Sequence, residues 1–333
     1  FEAWGPEVFI EINPYLFNGE RDNVRTRETN LGNLIGDAML AYGQNGFSTP
    51  TDFAVTNGGG IRANIDPGEV TLGDIIAVLP FGNSIAQIKV TGSQVKDMFE
   101  MSLRASAQKD ENGAVILDDF GQPKLGANGG FLHVSSTIRV YYDSTKQGTL
   151  LANDEGNSSG QTLTGQRVLQ IEVQDRETGL FAPISDEAIY SMATNDFLAA
   201  GGDGYNMLGG EREEGPSLDT VLIDYLKQGA TLRVLDPATN VDLAQYEAAF
   251  PGKRIISIAE ADFNKGDGSN DGAGKEEEQT SKPTGEAPEE KDGSTGTHPA
   301  TGETIVSYMG VGLLAVGIAA AGIYLHNTRK TYK

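Results

Sequence analysis

Between Asn264 and Thr297 the chain has no valine, isoleucine, leucine, methionine or aromatic residue, while Gly, Ser, Thr, Pro and Glu dominate. Such a stretch cannot bury enough apolar surface to offset its chain entropy, so 264–297 is expected to be a disordered acidic linker. The folded part is then predicted to be residues 1–263, long enough for one large domain or two. A formal net charge of −22 over 333 residues argues against a nucleic-acid partner, which requires a basic face. The absence of cysteine removes disulfides, zinc–thiolate sites and thiol nucleophiles together.

Beyond the linker, Ile305 to Leu325 runs for 21 residues without a charge. At ~1.5 Å per residue it spans ~30 Å, enough to cross a bilayer as a transmembrane helix. Arg329, Lys330 and Lys333 lie in the tail 326–333, which places that tail in the cytoplasm and the rest of the chain outside. Just upstream stands His298-Pro299-Ala300-Thr301-Gly302 (298–302). This pentapeptide, apolar span and basic tail together resemble the sortase signal of Gram-positive surface proteins. That resemblance implies cleavage between Thr301 and Gly302 and transfer to peptidoglycan, although His298 stands where the signal usually has Leu. An extracellular, cell-wall-anchored location is therefore expected, and a plain single-pass anchor would leave the chain on the same side. The first residues, Phe1-Glu2-Ala3-Trp4, have no initiator Met and no signal-peptide features, so the chain is expected to be a fragment.

Within 1–263 the irregular alternation of strand and helix patterns predicts an α+β fold with a mixed or mostly antiparallel sheet. Leu31, Leu34, Ile35, Ala38, Met39 and Tyr42 recur at helical spacing, with Thr29 or Asn30 as N-cap. Thr71 caps a second helix, Leu72 to Leu79, and Ser93 starts a third. Strands are predicted in Phe1 to Gly19, at Phe53 to Thr56, Ile85 to Val90, Phe131 to Val134, Ile138 to Tyr142, Arg167 to Val173, Tyr190 to Thr194 and Ile255 to Ile258. Pro216 reads as the first position of a helix over Leu218 to Lys227.

Four stretches stand out against this scaffold. Arg21, Arg25 and Arg27 fall within seven residues, just ahead of the first helix, whose free N–H groups and dipole also favour anions. A solvated loop is the alternative reading of that charge run. Asn57-Gly58-Gly59-Gly60-Ile61-Arg62 follows a short apolar strand, and three consecutive glycines require unusual backbone angles or a close approach. Phe81-Gly82-Asn83 and the segment Asn195 to Tyr205 each present a phenylalanine from a glycine-bearing loop, the second with Asp203 nearby. Only His133 of the three histidines lies in the predicted folded part, and no HExxH, Asp-x-His or Gly-Asn-His cluster exists. A satisfied core histidine is the expected role of His133. Arginines suit phosphate, two aromatics suit a planar base and a carboxylate suits ribose hydroxyls, which together describe a nucleotide-binding half-site without a catalytic half.

In order and spacing these four motifs resemble the C-terminal domain of 5′-nucleotidases over about Asn18 to Phe263. The resemblance implies that Phe81 and Phe197 sandwich the nucleobase and that Asp203 bonds the ribose. It implies that Arg25, Arg62, Asn57 and Arg21 contact phosphate or ribose oxygens, and that Gly60 lets the backbone close on the substrate. It also implies a parent enzyme that hydrolyses nucleoside 5′-phosphates with two divalent metal ions held in a separate N-terminal metallophosphoesterase domain. No metal or catalytic residue is expected in this chain. A surface module that binds nucleotides, or adheres, without hydrolysis is the alternative.

Overall fold

The computed structural model describes residues 8–152, 161–230 and 243–265, all within one compact unit, Phe1–Gly272. Its centre is a five-stranded mixed sheet in the order β10-β4-β9-β2-β5. The strands are β2 (Phe53–Asn57), β4 (Ser84–Thr91), β5 (Leu132–Val134), β9 (Ile189–Asn195) and β10 (Arg212–Ser217). Only β2 and β9 run parallel in it. A four-stranded sheet, β11-β6-β7-β8, is built from β6 (Ile138–Tyr142), β7 (Val168–Gln174), β8 (Phe181–Pro183) and β11 (Ile255–Ser257). The pair β1 (Val8–Asn13) and β3 (Gly68–Thr71) stands apart from both.

Period-two alternation divides the core into two layers. Phe53, Val55, Ala86, Ile88, Val90 and Met192 point to one face of the central sheet, where they join α4 (Gly92–Ser102) and residues of β6 and β7. Ala54, Ile85 and Ala193 point to the other, against α2 (Asn30–Gly43), α3 (Leu72–Val78) and α6 (Leu218–Ala230). The predicted apolar stripe of α2 is that buried face: Leu31, Leu34, Ile35, Ala38 and Met39 are all in the core. Thr29 is its N-cap, accepting from the Gly32 N–H. Thr71 and Asp74 form a capping box on α3, and Thr91 with Gln94 forms another on α4. The third helix therefore starts at Gly92, one residue before the predicted Ser93.

Pro216 is a correction. It does not open a helix but lies in β10, an edge strand whose register shifts between Glu214 and Ser217. An edge at an irregularity is where a residue without an N–H is tolerated.

The last described segment is tied down by buried charge. Arg254 makes a bidentate pair with Asp37, at 2.9 and 2.7 Å, and donates to the Val134 carbonyl at 3.0 Å. Tyr246 donates to the same carboxylate at 2.7 Å. Glu28 accepts from the backbone N–H groups of Arg254 and Ile255 at 2.8 and 2.9 Å. The linker 264–297 beyond Lys265, the 298–302 motif, the apolar span 305–325 and the tail 326–333 lie outside the described residues. Among the described residues no helix is long and apolar enough to cross a membrane.

Candidate functional site

Five segments converge at one end of the central sheet. Because β2 and β9 are parallel, both chains leave at this end, at Asn57 and Asn195. Because β4, β5 and β10 are antiparallel to their neighbours, the loop entering β4 at Phe81, the turn before β5 at Asn128–Phe131 and the start of α6 arrive there too. Two contacts pin these loops together: Asn83 donates to the Asp196 carboxylate at 2.7 Å, and the Leu218 N–H donates to the Asn83 carbonyl at 2.8 Å. A cleft opens between them, lined by Thr56, Gly60, Phe81, Asn83 and Asn195.

The arginine run is only partly helical. Arg21–Val24 forms a short helix, α1, with Arg25 as its C-cap and Arg27 in the bend beyond, and Thr26 donates back to the Asp22 carbonyl at 2.7 Å. Its position is set by the glycine turn, where Gly58–Gly60 makes a single 3₁₀ turn. None of these three glycines has a positive φ. Close approach of backbone accounts for Gly58 and Gly59 but not for Gly60, whose β-carbon would meet nothing nearer than the Asn57 side chain at 3.3 Å. A β-carbon on Gly58 would fall 1.8 Å from the Val24 carbonyl oxygen. His133 completes the clamp from below: fully buried, its Nε2 bonds the same Val24 carbonyl at 2.8 Å. His133 is thus a core histidine as expected but only half satisfied, since its buried Nδ1 has no partner among the described residues, and burial pushes its pKa down to about 4.

Three guanidinium groups gather here. Burial, then the charges of Arg21 and Arg62, pull the Arg25 guanidinium below its ordinary range, with Asp203 and Asp22 opposing. The Arg25 Nε is buried and has no hydrogen-bond partner. Arg62 lies 5.4 Å from the centroid of the Phe81 ring, within cation–π range. Arg27 is elsewhere: it stacks 3.7 Å over Phe250 and pairs with Asp119 at 3.0 Å. At the N-terminus of α2 the N–H groups of Asn30, Gly32 and Asn33 are already taken, by the Ala249 carbonyl and by Thr29.

Asn57, Asn195 and Asp203 form a continuous hydrogen-bonded line. The Leu198 N–H donates to Asn195 Oδ1 at 2.8 Å, Asn195 Nδ2 donates to Asn57 Oδ1 at 3.0 Å, and Asn57 Nδ2 donates to Asp203 Oδ2 at 2.8 Å. Asp203 has φ of 55°, the only non-glycine positive φ among the described residues. Such a conformation costs on the order of 1 kcal/mol and persists only where its surroundings impose it. Phe81 and Phe197 remain 59% and 44% exposed, although apolar side chains of that size are normally covered. Phe197 sits on α5 (Asp196–Ala199), which Asn195 caps.

The eight predicted binding residues therefore occupy this end of the sheet, with Arg21 at its open margin, paired with Asp22 at 3.6 Å. Sequence reasoning gave no role to Asn83, Asn128, Asn195 or Arg104, which donates to Asn128 Oδ1 at 2.7 Å. Asparagine near glycine reads as turn chemistry, and nothing in spacing marks a side chain that bonds another loop. Among the described residues, no three His, Asp or Glu side chains come together as a metal site, so these residues do not fit the two ions implied for the parent.

The family model of the 5′-nucleotidase C-terminal domain matches residues 8–210. The chain belongs to that family. It is 35% identical over 190 residues to the trifunctional nucleotide phosphoesterase protein YfkN of Bacillus subtilis, covering 57% of this chain and 10% of that protein. It is 31% identical over 247 residues to a 5′-nucleotidase of Diplobatis ommata, covering 71% of this chain and 36% of that protein. Among solved structures, the 5′-nucleotidase precursor of Thermus thermophilus superposes with a TM-score of 0.54 at 31% identity, over 78% of this chain and 41% of that one. The chain thus spans less than half the length of each of these relatives.

Proposed function

We propose that this chain is the substrate-binding part of a 5′-nucleotidase, holding a nucleoside 5′-monophosphate at the end of its central sheet. The observation that carries the reading is the Arg25 guanidinium, drawn down by burial and by two like charges, with a buried Nε that has no hydrogen-bond partner among the described residues. A buried unpaired donor is costly, and a phosphate oxygen would satisfy it while relieving the repulsion. Phe81 and Phe197 then flank the base, Asp203 and Asn57 meet the ribose, and Arg21, Arg62 and Gly60 border the phosphate side. Hydrolysis is assigned to a metallophosphoesterase domain of a longer parent protein, with its own divalent metals. Residues 298–333 are proposed to anchor the protein at a Gram-positive cell surface through Thr301, Gly302 and the span 305–325.

Binding of AMP is expected to raise the melting temperature of the full chain, and Phe81→Ala and Phe197→Ala are each expected to abolish the shift. Base stacking on an aromatic is worth ~1–3 kcal/mol, so loss of either ring weakens binding by roughly five- to a hundredfold. Wild-type behaviour of both variants would remove the sandwich. The alternative, a module that binds without hydrolysis, shares the absence of a metal-ligand cluster among the described residues, so only the parent protein separates the two readings. Incubation with AMP and Mn²⁺ or Zn²⁺ is expected to release no phosphate from this chain. If the open reading frame upstream encodes no metal-ligand motifs, the non-hydrolytic reading stands for the parent as well.

A further inference from the structure

We infer that Asn195 is a positioning residue for nucleoside recognition, one that sets which way Asn57 and Asp203 face the ligand. This role rests on the nucleotide reading above. Asn195 is 3% exposed and is not itself a ligand contact in that reading. Its orientation is forced, because the Leu198 backbone can only donate, at 2.8 Å, so the atom receiving it must be oxygen. The Asn195 amide nitrogen must then face Asn57, 3.0 Å away, and the atom it meets must be the Asn57 oxygen. That leaves the Asn57 nitrogen for Asp203, at 2.8 Å, where only a donor is accepted. Every direction in the line follows from one peptide N–H at the start of α5, and neither amide can flip without placing like atoms together.

The chemical consequence lies at the far end. Asp203 keeps its second oxygen, Oδ1, as an acceptor, and Asn57 keeps its second N–H as a donor. An acceptor beside a donor matches a vicinal diol, in which one hydroxyl donates a hydrogen bond to the carboxylate and the other accepts one from the amide. Asn195 also caps α5, which carries Phe197, so the base-stacking ring and the diol-facing pair are set by one side chain. Thr56 Oγ1, 3.4 Å from Asn195 Nδ2, is the remaining neighbour of that amide.

The test compares the affinity of the full chain for AMP and for its 2′,3′-dideoxy analogue by isothermal titration. The wild-type chain is expected to prefer AMP by about tenfold or more, a typical worth for hydrogen bonds that include a charged group. Asn195→Asp keeps the oxygen that caps α5 but turns the donor toward Asn57 into an acceptor; it is expected to bring the preference close to unity. Asn195→Ser keeps a capping hydroxyl without the reach to Asn57, and it is expected to do the same should the aspartate variant misfold. In an Asn57→Ala background, Asn195→Asp is expected to change the ratio no further, whereas a merely structural role would add its own loss. A preference within twofold of wild type in both single variants overturns the role. So does a wild-type chain that binds AMP without discriminating against the dideoxy analogue, although nucleotide binding then stands. A wild-type chain that binds neither removes the nucleotide reading, and this role with it.

Discussion

Asp37→Ala is expected to lower stability by ~3–5 kcal/mol, the usual loss when one partner of a buried ion pair is removed. In a folded part of this size that is a fall in melting temperature on the order of 10 °C. The size of the effect follows from what is left behind. Arg254 and Asp37 are 13% and 6% exposed, and the carboxylate also receives the Tyr246 hydroxyl and the Ser136 N–H at 2.7 Å each. Burial alone would lower the Arg254 guanidinium; Asp37, with Tyr246 and Glu28, overrides burial and holds it above its ordinary value. Without Asp37 the guanidinium keeps only the carbonyls of Asn33 and Val134 as hydrogen-bond acceptors, with Glu28 as a more distant counter-charge. Replacing Asp37 by Leu, Arg254 by Met and Tyr246 by Phe together is expected to be milder than Asp37→Ala, since the buried guanidinium is removed with its partner and Glu28 keeps its backbone N–H donors. Urea unfolding measures both, and a cost below about 1 kcal/mol for Asp37→Ala would show that water reaches the pair.

The second large effect is expected from His133 and depends on pH. The folded protein holds its imidazole neutral, with a pKa of about 4. The unfolded chain has the ordinary value of ~6.5. Because the folded value is the lower, the contribution is complete above pH ~6.5 and is lost as pH falls towards 4. At ~1.4 kcal/mol per unit, the loss by pH 4.5 is ~2.5 kcal/mol. The geometry explains the direction. Nε2 is already bound to Val24, so the added proton must go on Nδ1, which has no partner. A β-carbon on Gly32 would stand 2.0 Å from that nitrogen, so Nδ1 faces the first turn of α2, the positive end of the helix. In His133→Gln, the stability difference between pH 7.5 and pH 4.5 is expected to shrink by that amount. An equal pH dependence in both proteins would mean that the ring can open to solvent.

Much of the scaffold was legible because it follows local rules. The apolar stripe of α2, the caps at Thr29 and Thr71 and the alternation at Ala86, Ile88 and Val90 each depend on residues within a few positions. What escaped prediction depends on partners far away in sequence. β10 reads Arg-Glu-Glu-Gly-Pro-Ser, with no apolar alternation, and is a strand only because β4 offers it an edge. Asp37 and Arg254 are separated by more than 200 positions, and neither sits in a pattern that announces a buried pair. The site divides in the same way. Arg25, Asn57, Arg62, Phe81, Phe197 and Asp203 could be singled out by residue type and by the glycines beside them. Residue type and spacing alone do not separate Arg27 from Arg21 and Arg25; the resemblance left it out of the binding set, and the fold sends it to Phe250. Asn195 was visible as a loop residue, but its hydrogen bond to Asn57 crosses from one strand to its neighbour.

The ties that Arg254 and Tyr246 make to α2 also bear on where this module stops as a heritable unit. The family model ends at residue 210, yet β10, α6 and the Arg254–Asp37 pair all lie beyond it or depend on what does. α6 contributes Leu218, Val221, Leu222 and Leu226 to the core layer beneath the site. A recombination event or an expression boundary placed near residue 210 would therefore strip one face of the central sheet and leave Asp37 facing no counter-charge. The shortest piece that can be exchanged between proteins without unmaking the loop-bearing end of the sheet has to run through β11.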